Sequence, residues 1–336
     1  MYCEFFGLNE LPFELTANPR YLFLTDRQRE ALSILQYGLM SVKSLTLLVG
    51  DAGTGKTTLI RAALGSDRCR HVNCVYLNNP MLSQGDFVRL LAQRFSLGAN
   101  AASSKATLLE HMETRLRERK DAGETTALIV DEAQSLSVEL LEELRLLANI
   151  ETPTEKLLPL VLAGQPELTD RLEQPELRQL KQRVALRCEL LPFELGDTAA
   201  YIASRIRTAG GVPSEMFTQE AVSLIHRCAR GIPRSINVIC DNVLITAMAL
   251  GRRRVEQATV SEVCRDLHLV APNTMANEPD TPEPASVNAV EPKTQPEAAS
   301  VEPDQSDAEV KSDRFRFGFK WRHSASIRPS TRTVTE

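Results

Sequence analysis

The stretch GDAGTGKTT, residues 50 to 58, directly follows the apolar run LTLLV. From Gly50 to Thr57 it fits G-x-x-x-x-G-K-[ST], with a strand-like run before it and the helix-forming TTLIRAALG after it. The pattern answers a narrow chemical need. A triphosphate must be wrapped by backbone N–H groups that bulky side chains would obstruct, and it sits best at the positive end of a helix dipole. Gly50, Asp51, Ala52, Gly53, Thr54 and Gly55 would form the cradle, continued by Thr58 at the helix start. Lys56 would reach the β- and γ-phosphates, and the Thr57 hydroxyl would ligate Mg2+.

A second element strengthens this reading. ALIVDEAQ, residues 127 to 134, is an apolar run ending in Asp131 and Glu132. A carboxylate at a strand end can hold Mg2+ through water, and its neighbour can polarise the attacking water. Alone, an Asp-Glu pair after a strand is often just the acidic start of a helix. Together with a complete phosphate loop upstream, it marks a site that binds ATP or GTP and is equipped to hydrolyse it.

Alternation along the chain sets the fold class. Strands are expected at Leu45–Val49, Val72–Leu77, Ala127–Val130, Leu158–Ala163 and Val184–Leu190, with amphipathic helices between them. In Val138–Ala148, Leu140, Leu141, Leu144 and Leu147 share one face, opposite Glu139, Glu142, Glu143 and Arg145. Such alternation implies an α/β fold: a mostly parallel sheet covered by helices on both faces. After LLPFE the strand signal stops, and residues 197 to 270 read as three or four helices of a small all-helical domain. From about Pro272 the chain turns to Pro, Glu, Ala, Ser and Asp, a composition too poor in apolar surface to fold.

Charge is unevenly spread. Residues 278 to 313 hold ten acidic and two basic side chains, and residues 314 to 336 hold six basic and one acidic, leaving about −2 for residues 1 to 277. Charge alone therefore does not advertise a nucleic-acid surface on the folded part. RFRFGFKWRH, Arg314 to His323, interleaves aromatic and basic residues, as a short motif for a protein partner, a membrane surface or nucleic acid would. The seven cysteines have no repeated spacing, which points to reduced thiols; Cys69, His71 and Cys74 lack the second half of a metal site. The N-terminus lacks the pattern of a signal peptide, and no run of 18 apolar residues occurs, so the chain is expected to be cytoplasmic, or peripheral at the inner membrane.

Three further features suit a nucleotide switch. LVLAGQPEL ends a strand with Gln165, whose amide could contact the γ-phosphate or water. RGIPRSIN puts Arg234 at a helix start in the helical domain, where a guanidinium could close over the nucleotide. ELRQLKQRVALR offers Arg178, Arg183 and Arg187 before the fifth strand as candidate arginine fingers, Arg183 first among them.

With these motifs, and with the opening FFGLNELPFELTANPRYLFLTDRQREALSILQYGL and RGIPRSINVICDNVLITA, residues 1 to 270 resemble the AAA+ ATPases of the general secretion pathway protein A type. The resemblance implies a five-stranded P-loop AAA+ sheet with a helical lid, and ATP with Mg2+ as ligands. It implies Walker A roles for Lys56 and Thr57, Walker B roles for Asp131 and Glu132, and sensor roles for Gln165 and Arg234. It also implies that residues 16 to 24 line the adenine side, and that Arg183 reaches a neighbouring subunit's ATP in a homo-oligomer. The organisation expected is a linker and first helix at 1–44, the nucleotide-binding domain at 45–194, the lid at 195–271 and a disordered tail at 272–336. Members often continue into a membrane helix and a peptidoglycan-binding domain; here a polar tail stands instead. The expected function is ATP hydrolysis in aid of a secretion, pilus or exopolysaccharide export system, with an envelope protein as partner and the tail as a candidate means of engaging it. The alternative is a DNA-associated AAA+ ATPase of the transposition-helper kind. A nucleotide-binding scaffold without hydrolysis is disfavoured by Glu132.

Overall fold

Segments of five to seven residues, apolar in the centre and mixed at the two edges, become the strands of a parallel sheet. In the computed structural model these are β1 (Leu45–Gly50), β2 (Val72–Leu77), β3 (Thr125–Val130), β4 (Leu160–Gly164) and β5 (Val184–Leu190). They lie in the order β2-β3-β4-β1-β5, every neighbouring pair parallel. The structure describes residues 2–16, 18–41, 45–78 and 82–269, all inside one contact unit, Met1–Ala276. The expected tail from 272, with its basic-aromatic segment, lies outside the described residues.

Helices fill the intervals: α1 (Tyr2–Phe6), α2 (Asp26–Met40), α3 (Lys56–Leu64), α4 (Gln84–Arg94), α5 (Lys105–Asp121), α6 (Val138–Leu147), α7 (Glu167–Leu172) and α8 (Arg178–Lys181). Beyond the sheet follow α9 (Leu195–Thr208), α10 (Pro213–Met216), α11 (Gln219–Ala229), α12 (Pro233–Ala249) and α13 (Gln257–Asp266). Many starts are capped as the sequence dictates. Thr25, Ser83, Ser104, Ser137 and Thr218 each accept a backbone N–H from the first turn of the helix that follows.

The period-2 geometry of a strand sorts its side chains onto two faces. Leu45, Leu47 and Val49 of β1, Leu128 and Val130 of β3, and Leu160 and Leu162 of β4 join a core with Phe87, Leu91, Met112 and Leu140 from α4, α5 and α6. Leu48, Ala127, Ile129, Val161 and Ala163 face the other way, onto Leu35 and Leu39 of α2 and Leu59 and Ile60 of α3. Both faces are thus covered, which is why these strands read as continuous apolar runs. Several boundaries differ from expectation: β3 begins at Thr125 rather than Ala127, and β1 and β4 each end one residue later, at Gly50 and Gly164. β4 begins at Leu160 rather than Leu158, because Pro159 has no N–H for the ladder; its carbonyl still accepts from the Leu128 N–H at 2.9 Å.

A third core belongs to the helices after β5. Ile202, Ile206, Ile225, Ile236, Ile239 and Val243 are buried in it together with Tyr2, Leu8 and Phe13 from the chain's start. The N-terminal segment therefore packs on the helical bundle, a contact between residues some 200 positions apart that no local pattern signals. Arg205 pins it: the guanidinium donates to the Pro12 carbonyl at 2.6 Å and lies 5.0 and 5.1 Å from the ring centroids of Tyr21 and Tyr201.

The bundle is joined to the strand β5 exit at Gly231, which has φ +70° and whose carbonyl accepts the Phe193 N–H at 2.8 Å. A Cβ there would lie 2.2 Å from the Phe193 carbonyl oxygen. Gly231→Ala is expected to destabilise the chain by about 2 kcal/mol or more, through left-handed strain and that clash. Urea unfolding of the two proteins checks this; an unchanged midpoint would contradict it.

Candidate nucleotide and metal site

Parallel strands place their carboxyl ends along one edge, and three loops meet there. The first is the loop after β1. Gly53 and Gly55 have φ of +85° and +104°, values that side chains resist, and α3 starts at Lys56 with its N–H groups toward the loop. The Thr54 hydroxyl donates to the Asp51 carbonyl at 2.8 Å and stiffens the turn. Asp51 is half-buried, and Ala52 and Thr58 are exposed.

Lys56 is buried, 5% exposed, and its Nζ donates to the carbonyls of Gly50 at 2.7 Å and Asp51 at 3.1 Å. Burial pushes its pKa down, while the carboxylates of Glu132, Asp131 and Asp51 oppose that shift. The ammonium is thus kept beside the loop by neutral acceptors.

The second loop follows β3. Thr57 donates its hydroxyl to Asp131 Oδ2 at 2.7 Å, tying the start of α3 to the end of β3 across 74 residues of sequence. The Tyr76 hydroxyl, from β2, donates to the same oxygen, and the Glu132 N–H donates to Asp131 Oδ1 at 3.0 Å. Burial and the hydrogen bond to Asp131 raise the Tyr76 pKa, so Tyr76 stays a donor. A threonine hydroxyl beside a carboxylate is a hard oxygen pair of the kind Mg2+ takes, with waters and phosphates completing its shell. Thr57 and Asp131 thus fit that ion. Among the described residues no three His, Cys, Asp or Glu side chains cluster as a cation site, and the seven cysteines are free thiols.

The third loop follows β4. Gln165 donates its N–H to Gln134 Oε1 at 3.1 Å, and its side-chain amide lies 3.5 Å from Glu132 Oε2. Gln134 Nε2 donates to that same oxygen at 2.6 Å. Arg171 of α7 donates to the carbonyls of Gln134 at 2.5 Å and Leu136 at 2.6 Å. Tyr76, Gln134 and Arg171 were not singled out in the sequence. Gln134 sits within the DEAQ run, where its closeness to Glu132 was a usable signal; Tyr76 and Arg171 read as ordinary strand and helix residues.

The bundle reaches the same place. The Arg234 N–H, at the start of α12, meets the Gly53 carbonyl at 3.3 Å, and the exposed Arg234 side chain lines a cavity of about 410 Å3. Gly53 through Thr58 and Glu132 line it too, as do Thr16, Asn18 and Tyr21 of the stretch expected on the base side. That volume is in the range of small-ligand sites. The finger candidates stand elsewhere. Arg183 precedes Val184, which pairs with Leu45 at the amino end of β1, whereas the phosphate loop leaves its carboxyl end at Gly50. Six residues at about 3.3 Å each put Arg183 some 20 Å from its own loop. Arg178 is exposed at the start of α8, and Arg187 lies 3.4 Å from the Thr169 hydroxyl.

Comparison with known proteins bears on the family and the fold. An AAA domain profile matches residues 39–172. Over 261 residues, 78% of this chain, the sequence is 41% identical to general secretion pathway protein A of Aeromonas hydrophila. The match spans 47% of that relative, so the chain covers about half its length. This bears out the resemblance carried by the motifs. Among solved structures, the Aeropyrum pernix ORC2 protein in ADPNP-ADP complexes superposes with a TM-score of 0.59 at 16% identity, covering 80% of this chain and 74% of that one. Cdc6p from Pyrobaculum aerophilum gives 0.60 at 17% identity, with 76% and 70% covered. These likenesses establish the fold, a five-stranded AAA+ sheet with helices.

Gly53 tests how the bundle meets the loop. A Cβ there would sit 2.8 Å from the Arg234 Cβ and 3.1 Å from the Ile232 Cγ2, at a φ that already disfavours it. Gly53→Ala is expected to push the loop from α12 and to weaken nucleotide binding about tenfold, roughly 1.4 kcal/mol. Isothermal calorimetry with an ATP analogue checks this; unchanged affinity would show that the contact carries no weight.

Proposed function

We propose, from an AAA+ fold that bears a phosphate loop and from the likeness to general secretion pathway protein A, that this chain binds and hydrolyses ATP with Mg2+. The observation that carries the reading is the 2.7 Å bond from Thr57 to Asp131, with Glu132 lining the same cavity as the loop. It joins the phosphate cradle, the hard oxygen pair and a carboxylate base within one site.

In this reading the amides of residues 50–58 and the Lys56 ammonium bind the phosphates. Thr57 and Asp131 hold Mg2+, which would offset phosphate charge. Glu132 accepts the proton of the attacking water, and Gln165 orients that water or the γ-phosphate. Arg234 adds positive charge from the bundle side. Arg183, far from its own loop, serves the ATP of a neighbouring subunit, so that activity follows assembly of a homo-oligomer. The work done is assistance to the assembly or operation of a secretion, pilus or exopolysaccharide export system, through an envelope protein partner. No helix among the described residues is long and apolar enough to cross a membrane. We place the chain in the cytoplasm, peripheral to the inner membrane. DNA association draws support from the shared fold alone and is not favoured. The domain limits expected from sequence, with a lid at 195–271, are part of the same proposal.

Two outcomes test the chemistry. Lys56→Ala should abolish ATP binding in calorimetry, whereas Glu132→Gln should bind ATP and lose turnover by 100-fold or more, about 2.7 kcal/mol. Wild-type turnover by Glu132→Gln would remove Glu132 as the base.

The finger is tested by mixing. Arg183→Ala and Lys56→Ala should each be nearly inactive, yet a mixed assembly should regain part of the rate. In it the Lys56→Ala subunit lends its intact arginine to its neighbour's intact loop. Fingers of this kind are worth roughly 10³ to 10⁵ in rate. No recovery in a demonstrated co-assembly would move the role to Arg178 or Arg187, or to a contact within one subunit.

A further inference from the structure

We infer that Gln134 is a positioning residue that aims the Glu132 carboxylate and couples it to Gln165 at the end of β4. The inference rests on the proposed hydrolysis. Its basis is one side chain with both ends committed. Gln134 Nε2 donates to Glu132 Oε2 at 2.6 Å, and Gln134 Oε1 accepts the Gln165 N–H at 3.1 Å. The side-chain amide of Gln165 approaches the same Glu132 oxygen at 3.5 Å. Two amides from two loops therefore converge on one oxygen of the proposed base.

Gln134 is not needed to shape its own turn. Arg171 already fixes the backbone there by donating to the carbonyls of Gln134 and Leu136, and Ala133 and Leu136 are buried on either side. With the backbone held by others, the amide is left to bridge Glu132 and β4. Its place is also confined: a Cβ on Gly164 would come within 2.9 Å of Gln134 Oε1. Glu132 itself sits at φ +55°, a conformation that a non-glycine residue keeps only where its surroundings over-determine it. The bridge supplies part of that determination. Any shift of Gln165 on meeting a phosphate or water then moves the bond that orients Glu132. Gln134 does not line the nucleotide cavity, so its effect should fall on turnover rather than on binding.

Substitution can separate the two ends. Gln134→Glu keeps an oxygen to accept the Gln165 N–H but loses the donor to Glu132 and sets a second carboxylate beside it. A residue that merely braced β4 would tolerate that change. We expect Gln134→Glu to lower kcat at least tenfold, with KM for ATP and the affinity for a non-hydrolysable analogue within twofold of wild type. Gln134→Ala and Gln165→Ala, combined, should lose less than the product of their separate losses, since both amides act through one carboxylate. Wild-type kcat in Gln134→Glu, an equal loss of nucleotide affinity, or fully multiplicative losses in the double variant would each overturn the inference. The wild-type chain is assayed alongside. Absence of ATPase activity there overturns the proposed function and this inference with it, whereas a hydrolysing wild type matched by Gln134→Glu overturns the inference alone.

Discussion

The parallel register of β1, β4 and β3 is the constraint on which the site depends. Val49 pairs with Gly164, and Leu162 pairs with Val130. The residues that leave these strands, Gly50, Gln165 and Asp131 with Glu132, are therefore set side by side by backbone hydrogen bonds before any side chain acts. A slip of one residue would turn every side chain to the other face and exchange the two apolar cores. The ladder is held on both sides by buried leucine, valine and phenylalanine, and burial of each such side chain is worth about 1.5–3 kcal/mol. The site's accuracy is in this sense a by-product of a core that cannot shift.

A second constraint comes from outside the sheet. The start of α12 meets Gly53, Gly231 meets Phe193, and Arg205, set against the rings of Tyr21 and Tyr201, holds the Pro12 carbonyl. These contacts bring the bundle and the N-terminal stretch to the phosphate loop, so the cavity has one wall from each of three distant parts of the chain. A change in the loop's shape is then felt at α12 through Gly53, whose missing side chain is what permits the approach. This is the physical form that coupling between nucleotide and bundle would take.

Much of this was legible in the sequence, and the reasons are specific. The five strands were readable as short β-branched and leucine-rich runs between helix-period stretches, most plainly in the buried central strands β1, β3 and β4, and Lys56, Thr57, Asp131 and Glu132 because glycine spacing and a strand-ending carboxylate pair are rare together. The pinning of Tyr2, Leu8 and Phe13 into the bundle was not, since long-range packing leaves no local period. Tyr76 lay in a strand whose residues 72 to 77 look like packing, and only the pairing of β2 with β3 brings its hydroxyl to Asp131. Gln134 and Arg171 act through a turn whose path is set by tertiary contacts. Beyond that apolar packing, what escaped was a set of polar contacts made by the fold, at Gln134 even though the residue itself lay within the motif.

Lys56 shows how these levels meet. Its ammonium is buried against two carbonyls, which solvate it less well than water, and its pKa is pushed down accordingly. The carboxylates of Glu132, Asp131, Asp51 and Glu167 offset part of the cost, but Thr57, Tyr76 and the Glu132 N–H already draw on Asp131. A desolvated cation with incomplete compensation is a site biased toward a polyanion, because phosphate oxygens supply the opposite charge that the carbonyls lack. The same displacement would free the Gly50 and Asp51 carbonyls and loosen the loop that Gly53 presses against α12. The event that satisfies Lys56 is therefore also one that can be transmitted to the bundle, through a contact only glycine can make.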